Sequence, residues 1–399
     1  MKYMAVLLLV ISAGFGTDIR FTGFADTYLA SSFDGGDWNS MRSRLRMNCS
    51  SGSGSSWLFA SVNAEENHIT QEKTQVELRE AWFEYAGSVW DMRAGRQIIK
   101  WGNTDGIPIT DVICPGDYTE FITRDFDDIR MPVDVLQFRL LPLWGSVEAL
   151  WLPVFEPGIY PSSDSPWATE GSIPEGDVTD APVMPEKTLE NSEYAVRISL
   201  FTSGFDAAAS CFRTWDDFPV MHRYTEGGTV HWEPRYHRTT FCGAEFSVPV
   251  GETVIRGEAG LITGRYFQDT QSEDLTVERD QIKALLGVDW YPGCNWTASV
   301  QLADSWLPDH TETINEEEHT VLGTLMVSRQ FARQTLEVKN MVYIGITEED
   351  LYNQLSVLYH VTDALEASIG ADIFAGPDDT DFGRYEHNTQ AFMKVRYSF

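Results

Sequence analysis

Basic residues are scarce in this 399-residue chain: 29 Lys and Arg stand against 60 Asp and Glu, a formal net charge of -31. So acidic a chain repels phosphate backbones, which excludes nucleic acid as a partner. Cysteine is scarce too. Five Cys with no CxxC pair give neither a disulfide framework nor a zinc site. No run of 18 apolar residues occurs, so no transmembrane helix is predicted. Convincing amphipathic helices with capping boxes are missing. So are familiar catalytic motifs: there is no GxSxG, no phosphate-cradling Gly-rich loop and no HExxH among the eight His. The sequence therefore reads as no enzyme, with no cofactor and no metal. His222, His231 and His237 cluster loosely, but at loop-like, non-periodic spacing. Aromatics, by contrast, make up 13% of the chain and Gly numbers 31, which excludes a disordered polymer.

The first residues read as an address label. Lys2 supplies a positive charge, Ala5 to Ile11 an apolar run too short to span a bilayer, and Ser12, Ala13, Gly14 and Gly16 small residues. This pattern predicts a cleaved secretory signal peptide over residues 1–17.

Beyond it the period is two. In Met41 to Cys49, Met41, Ser43, Leu45, Met47 and Cys49 fall on one side and Arg42, Arg44, Arg46 and Asn48 on the other. A helix would scatter those arginines; a strand stacks them. Tyr194 to Leu200, Ile282 to Trp290 and Leu365 to Ile373 alternate in the same way. The class is all-β. Segments of about 9–12 residues suit a tilted, bilayer-crossing strand better than the common strand of about 5–6. The charged face suits a wet lumen. Residues 18–399 accordingly predict a transmembrane antiparallel up-and-down β-barrel of about 18 strands, with 16 as the alternative. Short connections (Gly87–Val89, Ser203–Gly204, Pro292–Cys294) alternate with long ones (Asn103–Pro132, Val154–Asn191, Trp215–Arg235, Gly376–Asn388). Such parity is what outer-membrane barrels show. The Pro-rich loop 154–191 is expected to be irregular and extracellular. Cys211 and Cys242 fall on adjacent strands and are expected as free, lipid-facing thiols.

Acids crowd the long connections: Glu226, Asp269, Glu273, Asp274, Glu316 to Glu318, Asp378, Asp379 and Asp381. A solvated rim is the plain reading. None follows the order of a calcium loop.

Residues 103–132 are too apolar, at Ile107, Ile109, Val112, Ile113, Phe121 and Ile122, to lie freely in water. The economical place for them is the barrel interior, as an inward-folded constriction loop. It carries Asp105, Asp111, Asp117, Glu120, Asp125, Asp127 and Asp128. Arg42, Arg44, Arg46, Arg93, Arg139 and Arg197 are expected to line the pore with Glu148, Glu245 and Glu258. Acids on the loop opposite an arginine ladder would set a selective field. Alternatively, the arginines pair with the wall carboxylates. Facing an open lumen, Arg42, Arg44 and Arg46 would tolerate reversal to Glu with the fold intact.

The terminal strand, with Ala391, Met393, Val395 and Tyr397 on one face and Phe399 at its end, resembles the C-terminal signature of Gram-negative outer-membrane barrels. That resemblance implies recognition of the segment by the barrel-assembly machinery. Gly95-Arg96-Gln97, Trp101-Gly102 and Asp111-Val112-Ile113-x-Pro115-x-Asp117, with Leu152-Pro153-x-Phe155-x-Pro157 and Ser165-Pro166-Trp167, are similar to poorly characterised proteobacterial porin-like proteins. The alginate-export type of barrel is more distantly similar. Where those proteins often have Asn, this chain has Cys114. The resemblance covers about residues 75–170. It implies an outer-membrane location and passive passage of a small-molecule solute, among lipid and lipopolysaccharide, with a homotrimer possible. A barrel enzyme acting as a lipid hydrolase, or an adhesin or assembly barrel, is the rival expectation.

Overall fold

A computed structural model describes residues 19–70, 73–103, 106–169, 173–174 and 176–399. The expected signal peptide and Asp105 lie outside the described residues.

Eighteen strands form one closed antiparallel sheet. In chain order these are β1 (Ile19–Ser32), β2 (Trp38–Ser53), β3 (Ser56–Asn67), β4 (Gln75–Ala86), β5 (Trp90–Gln97), β6 (Val133–Leu140) and β7 (Gly145–Leu152). After β8 (Val178–Thr179), which lies outside the barrel, come β9 (Glu193–Thr202) and β10 (Phe205–Trp215). After β11 (Val220–Glu226) and β12 (Thr229–Arg235), also outside it, come β13 (Arg238–Val250), β14 (Thr253–Gln268), β15 (Thr276–Trp290), β16 (Trp296–Trp306), β17 (His319–Phe331), β18 (Leu336–Gly345), β19 (Asp350–His360), β20 (Leu365–Ala375) and β21 (Gln390–Ser398). Each barrel strand pairs with its neighbours in sequence. β1 also pairs with β21, and Gly23 and Phe399 exchange both backbone hydrogen bonds at 2.9 and 3.0 Å. No edge is left unpaired, which removes the template for aggregation that an open sheet presents.

Strand alternation sorts the two faces. Leu45, Met47, Leu286, Val288, Val300, Leu302, Ile369 and Met393 are exposed on the outside. Exposed aromatics gather at both ends of this apolar band: Phe201, Phe205, Trp290, Trp296 and Tyr359 near the short turns, Trp38, Tyr194 and Trp306 near the long loops. The opposite face carries the charged side chains, and the strand register turns them into ladders of alternating sign. Glu366, Arg396, Asp26, Arg44 and Glu65 stand opposite one another across β20, β21, β1, β2 and β3. Asp91, Arg139, Glu148 and Arg197 do the same across β5, β6, β7 and β9. Opposite charges in direct cross-strand register each contribute roughly 0.2–1 kcal/mol, so these ladders also help to fix the register.

Two expectations are corrected here. Trp215–Arg235 is not simply a loop. Its residues form the hairpin β11–β12, which β8 joins in parallel as a third strand on the long-loop side. Alternation in Val220 to Arg235 is present but short, and Pro234 masks it. Cys211 and Cys242 are not free thiols. They stand directly opposite on β10 and β13, with Cα atoms 4.1 Å apart, and are joined as a disulfide. Cys49, Cys114 and Cys294 are free.

Candidate functional site: the barrel interior

The connection from β5 to β6, residues 98–132, touches nearly the whole circumference. Its Ile99, Trp101 and Ile113 pack with Val133, Val135, Leu150, Phe212 and Phe241 on the wall from β6 to β13. Ile109 meets Leu285 and Ala303 on β15 and β16. Phe121 and Ile122 join Tyr343, Tyr352, Phe374 and Tyr385 on the opposite side. A segment in contact with β2, β13, β16 and β19 together lies inside the cylinder. Burying each such Ile or Phe contributes roughly 1.5–3 kcal/mol, enough to hold a chain that has almost no regular structure. A single helical turn, Phe126–Ile129, is its one helix among the described residues.

Two glycines shape its start, one within β5 just before the segment and one at its first corner. Gly95 has φ +128°, and a Cβ there would stand 2.2 Å from the Ala81 carbonyl oxygen. Gly102 has φ +87°, with Thr110 Oγ1 and Glu258 close above it. The Gly-Arg-Gln and Trp-Gly pairs of the sequence thus mark where the chain leaves the wall. Cys114, in the place often taken by Asn, sits beside Ile99, its Sγ 3.3 Å from the Ile99 nitrogen and 3.4 Å from its oxygen.

Polar anchors fix the segment laterally. Glu120 is buried and accepts from Arg42 (2.6 Å), Ser40 (2.9 Å) and Asn67 (2.8 Å), with Arg124 within 3.4 Å. Burial works to raise its carboxyl, but Arg42 and Arg124 outweigh that and hold it below the usual carboxylate range. Arg44 binds Asp26 and Asp128, each at 2.7 Å, and Arg46 binds Asp128 at 2.9 Å. Asp117 pairs with Lys73 (2.6 Å) and Arg124 (3.1 Å), Asp111 with Arg130 (2.6 Å), and Asp125 with Lys394 (2.5 Å). Asp127 lies against Lys100 and, at 3.4 Å, Arg130. Arg42, Arg44 and Arg46 are therefore not a free ladder. They are the sockets of the segment, and reversing them would leave Glu120, Asp26 and Asp128 facing like charges. The expected tolerance to reversal does not survive this geometry.

Arg93, Arg139 and Arg197 have wall partners instead: Glu84, Asp91 (2.8 Å) and Glu245 respectively. Glu148 accepts from Gln137 at 2.8 Å. Glu245 and Glu258 mainly serve the segment. Glu258 accepts from the backbone N–H of Asn103 (2.7 Å) and of Thr110 (2.9 Å), and Glu245 from the Thr110 hydroxyl (2.7 Å). Sequence reading missed Asp26, Glu65, Lys73, Lys100, Arg124 and Arg130. Alternation would have placed Asp26 and Glu65 on the arginine face, but nothing local showed what they meet.

The long connection 154–191 is anchored at one motif. Trp167 is buried against Phe374 and Tyr385, and Asn388 donates to the Pro166 carbonyl at 2.9 Å. Its Ser-Pro-Trp motif thus reaches across the mouth of the barrel.

Two cavities remain, one on each side of the segment. The first, about 580 Å³, opens toward the short turns. Six cations line it (Arg46, Arg79, Arg93, Lys100, Arg139 and Arg197) beside three carboxylates, Glu80, Asp127 and Glu148. The second, about 560 Å³, faces the long loops between Trp101, Tyr118, Phe126, Arg130, Asp217, Phe218 and Lys283. Lys100 and Asp127 border both, so their ion pair stands at the junction. Among the described residues no group of three His, Cys, Asp or Glu is placed to hold a metal ion.

No curated protein matches the chain. Among solved structures it is similar to a mutant of the Rhodopseudomonas blastica porin (14% identity, 96% of this chain and 100% of that one, TM-score 0.47). It is also similar to a loop-deletion mutant of OmpT, an outer membrane protein of Vibrio cholerae (10% identity, 96% and 99% covered, TM-score 0.46). Over residues 7–330 the sequence matches the family described as "Protein of unknown function (DUF1302)". The inward corners, the arginine sockets and most of the barrel wall fall within that match, and the chain belongs to this family.

Proposed function

We propose that this protein is a passive diffusion channel for small solutes in a bacterial outer membrane. A single arrangement supports this reading. A closed cylinder with an apolar exterior and aromatic ends is crossed inside by one segment, which leaves a cavity on each side. Such an exterior suits a bilayer, and such an interior suits water. The two cavities meet at Lys100 and Asp127, whose side chains are 52% and 71% exposed, so the meeting point is wet. Segment 98–132 is the constriction. Six cations and three carboxylates line the lower cavity, with Arg46, Arg93, Arg139 and Arg197 paired to Asp128, Glu84, Asp91 and Glu245 behind them, so a solute passes a wall of fixed ion pairs. The acids of the long loops form a solvated rim.

No covalent step or energy source enters this reading; solute moves down its gradient. Purified protein in planar bilayers is expected to give step currents, and their reversal potential in a salt gradient reads the selectivity. Liposomes carrying it should swell in small solutes. A silent barrel that hydrolyses phospholipid would replace the channel by an enzyme.

A further inference from the structure

We infer that the cavity on the long-loop side is a binding site for a small organic acid with an apolar body. This rests on the channel reading and names the solute class.

Lys283 carries the argument. It points inward from β15, with Gly260 and Ser305 directly opposite it on the neighbouring strands. Neither can neutralise an ammonium. Other inward cations of this wall have acids: Arg256 lies 2.9 Å from Asp289 and Arg265 2.9 Å from Asp216. Lys283 makes no ion pair and no hydrogen bond among the described residues, yet it lines the cavity. An ammonium walled in without a counter-charge is costly unless water or an anion serves it.

The acids around the same cavity are already committed. Asp111 holds Arg130 at 2.6 Å and accepts the Trp101 N–H at 3.1 Å, and Asp127 holds Lys100. Burial, with Asp216 and Glu193 nearby and Arg265 opposing them, pushes the Asp217 carboxyl well above its ordinary value. Among the described residues Lys283 is thus the lining cation without an ion pair, and Trp101, Pro108, Phe126 and Phe218 supply apolar wall in the same chamber. A volume of about 560 Å³ lies within the roughly 300–1,000 Å³ of small-molecule sites. A carboxylate would meet Lys283 while its apolar body lies on the rings. From there Lys100 and the arginines of the lower cavity offer the next positive charges.

The test uses the full chain in detergent, with sodium benzoate as probe and benzyl alcohol and acetate as controls, read by isothermal titration. Wild type is expected to bind benzoate at least ten-fold more tightly than either control. Lys283→Met should lose at least ten-fold for benzoate, and Lys283→Arg should retain binding. Phe218→Ala should weaken benzoate and leave acetate unchanged. Heat-modifiable gel mobility checks that each variant is folded, and Lys283→Gln replaces the Met variant if that one is not. Equal binding of benzoate and benzyl alcohol, or benzoate binding unaffected by Lys283→Met, overturns the site. Step currents are recorded separately. A barrel that binds benzoate but never conducts would sink the channel and leave the site standing; one that conducts without Lys283-dependent binding would do the reverse.

Discussion

Two sectors of the inner wall are built from the same residues and do different work. From β20 round to β3 the arginines grip the internal segment: Arg42 holds Glu120, and Arg44 and Arg46 hold Asp128. These pairs are dry, with Arg42 and Glu120 side chains 4% and 1% exposed. On β5, β6 and β9, Arg93, Arg139 and Arg197 hold wall carboxylates and line a cavity, whereas Arg79 on β4 donates to the segment's backbone at Asp127 and Arg130. Side-chain type and strand period are the same in both sectors. What separates them is whether the segment covers the arginine itself, since its apolar side chains also reach the wall beside the uncovered ones. An arginine covered by the segment becomes an anchor, and one left uncovered becomes part of a field.

The largest effect is expected where an anchor is broken. Glu120→Ala leaves Arg42 buried with no carboxylate, and loss of one partner of a buried pair costs roughly 3–5 kcal/mol. Thermal unfolding of the detergent-folded barrel should shift down accordingly, and single-channel conductance should rise as the segment loosens. An unchanged midpoint would mean that the first sector is no firmer than the second.

A middle-sized effect is expected from acid at the hairpin β11–β12, which docks on the connection between β14 and β15, away from both sectors. His222 Nε2 and His237 Nε2 lie 2.8 Å apart, and His222 Nδ1 lies 2.9 Å from Asp274, so imidazoles help to dock the hairpin. Burial first, then His222, lowers His237 from 6.5 to about 4. Its docked form is therefore the neutral one. Above pH 6.5 both the docked and the released hairpin are neutral there, and nothing is lost. As pH falls from 6.5 toward 4 the released form takes up a proton that the docked form refuses, so docking weakens through that window and levels off below it. Hydrogen exchange of β11 and β12 should quicken over that range while exchange in the barrel wall stays slow. Uniform exchange across the range would remove the latch.

The smallest effect belongs to the uncovered wall. Arg93→Gln breaks a partly exposed pair with Glu84, worth at most about 1 kcal/mol, so the fold should hold. Loss of one charge about 8 Å from the path changes the energy of each ion by roughly 0.5 kcal/mol in water, with opposite sign for anion and cation, so the anion-to-cation permeability ratio should fall roughly five-fold. A reversal potential identical to wild type would place Arg93 outside the path.

Much of the fold was legible because its signal is local. Met41 to Cys49 shows both its faces in nine residues, and Ile107 to Ile122 shows that the long connection has to bury itself. The disulfide was not legible, because Cys211 and Cys242 become neighbours only through the register of β10 on β13. The β11–β12 hairpin was masked by its short strands and its proline. Trp167 read as part of an outer loop, since nothing near it in sequence announces Phe374 or Tyr385. Lys283 looked like any other polar position of an alternating strand; its lack of an acid shows only when Gly260 and Ser305 stand beside it.

By itself, then, the sequence determined a cylinder: strand period, strand number, the outward apolar face and an apolar stretch bound for the interior. All of these follow from alternation between adjacent residues, which the pleat converts directly into two faces. Tertiary structure alone decided which acid meets which arginine, which wall the segment covers and which ammonium is left over. Those choices depend on the register between strands and on contacts across the lumen, and neither is encoded within reach of a single strand.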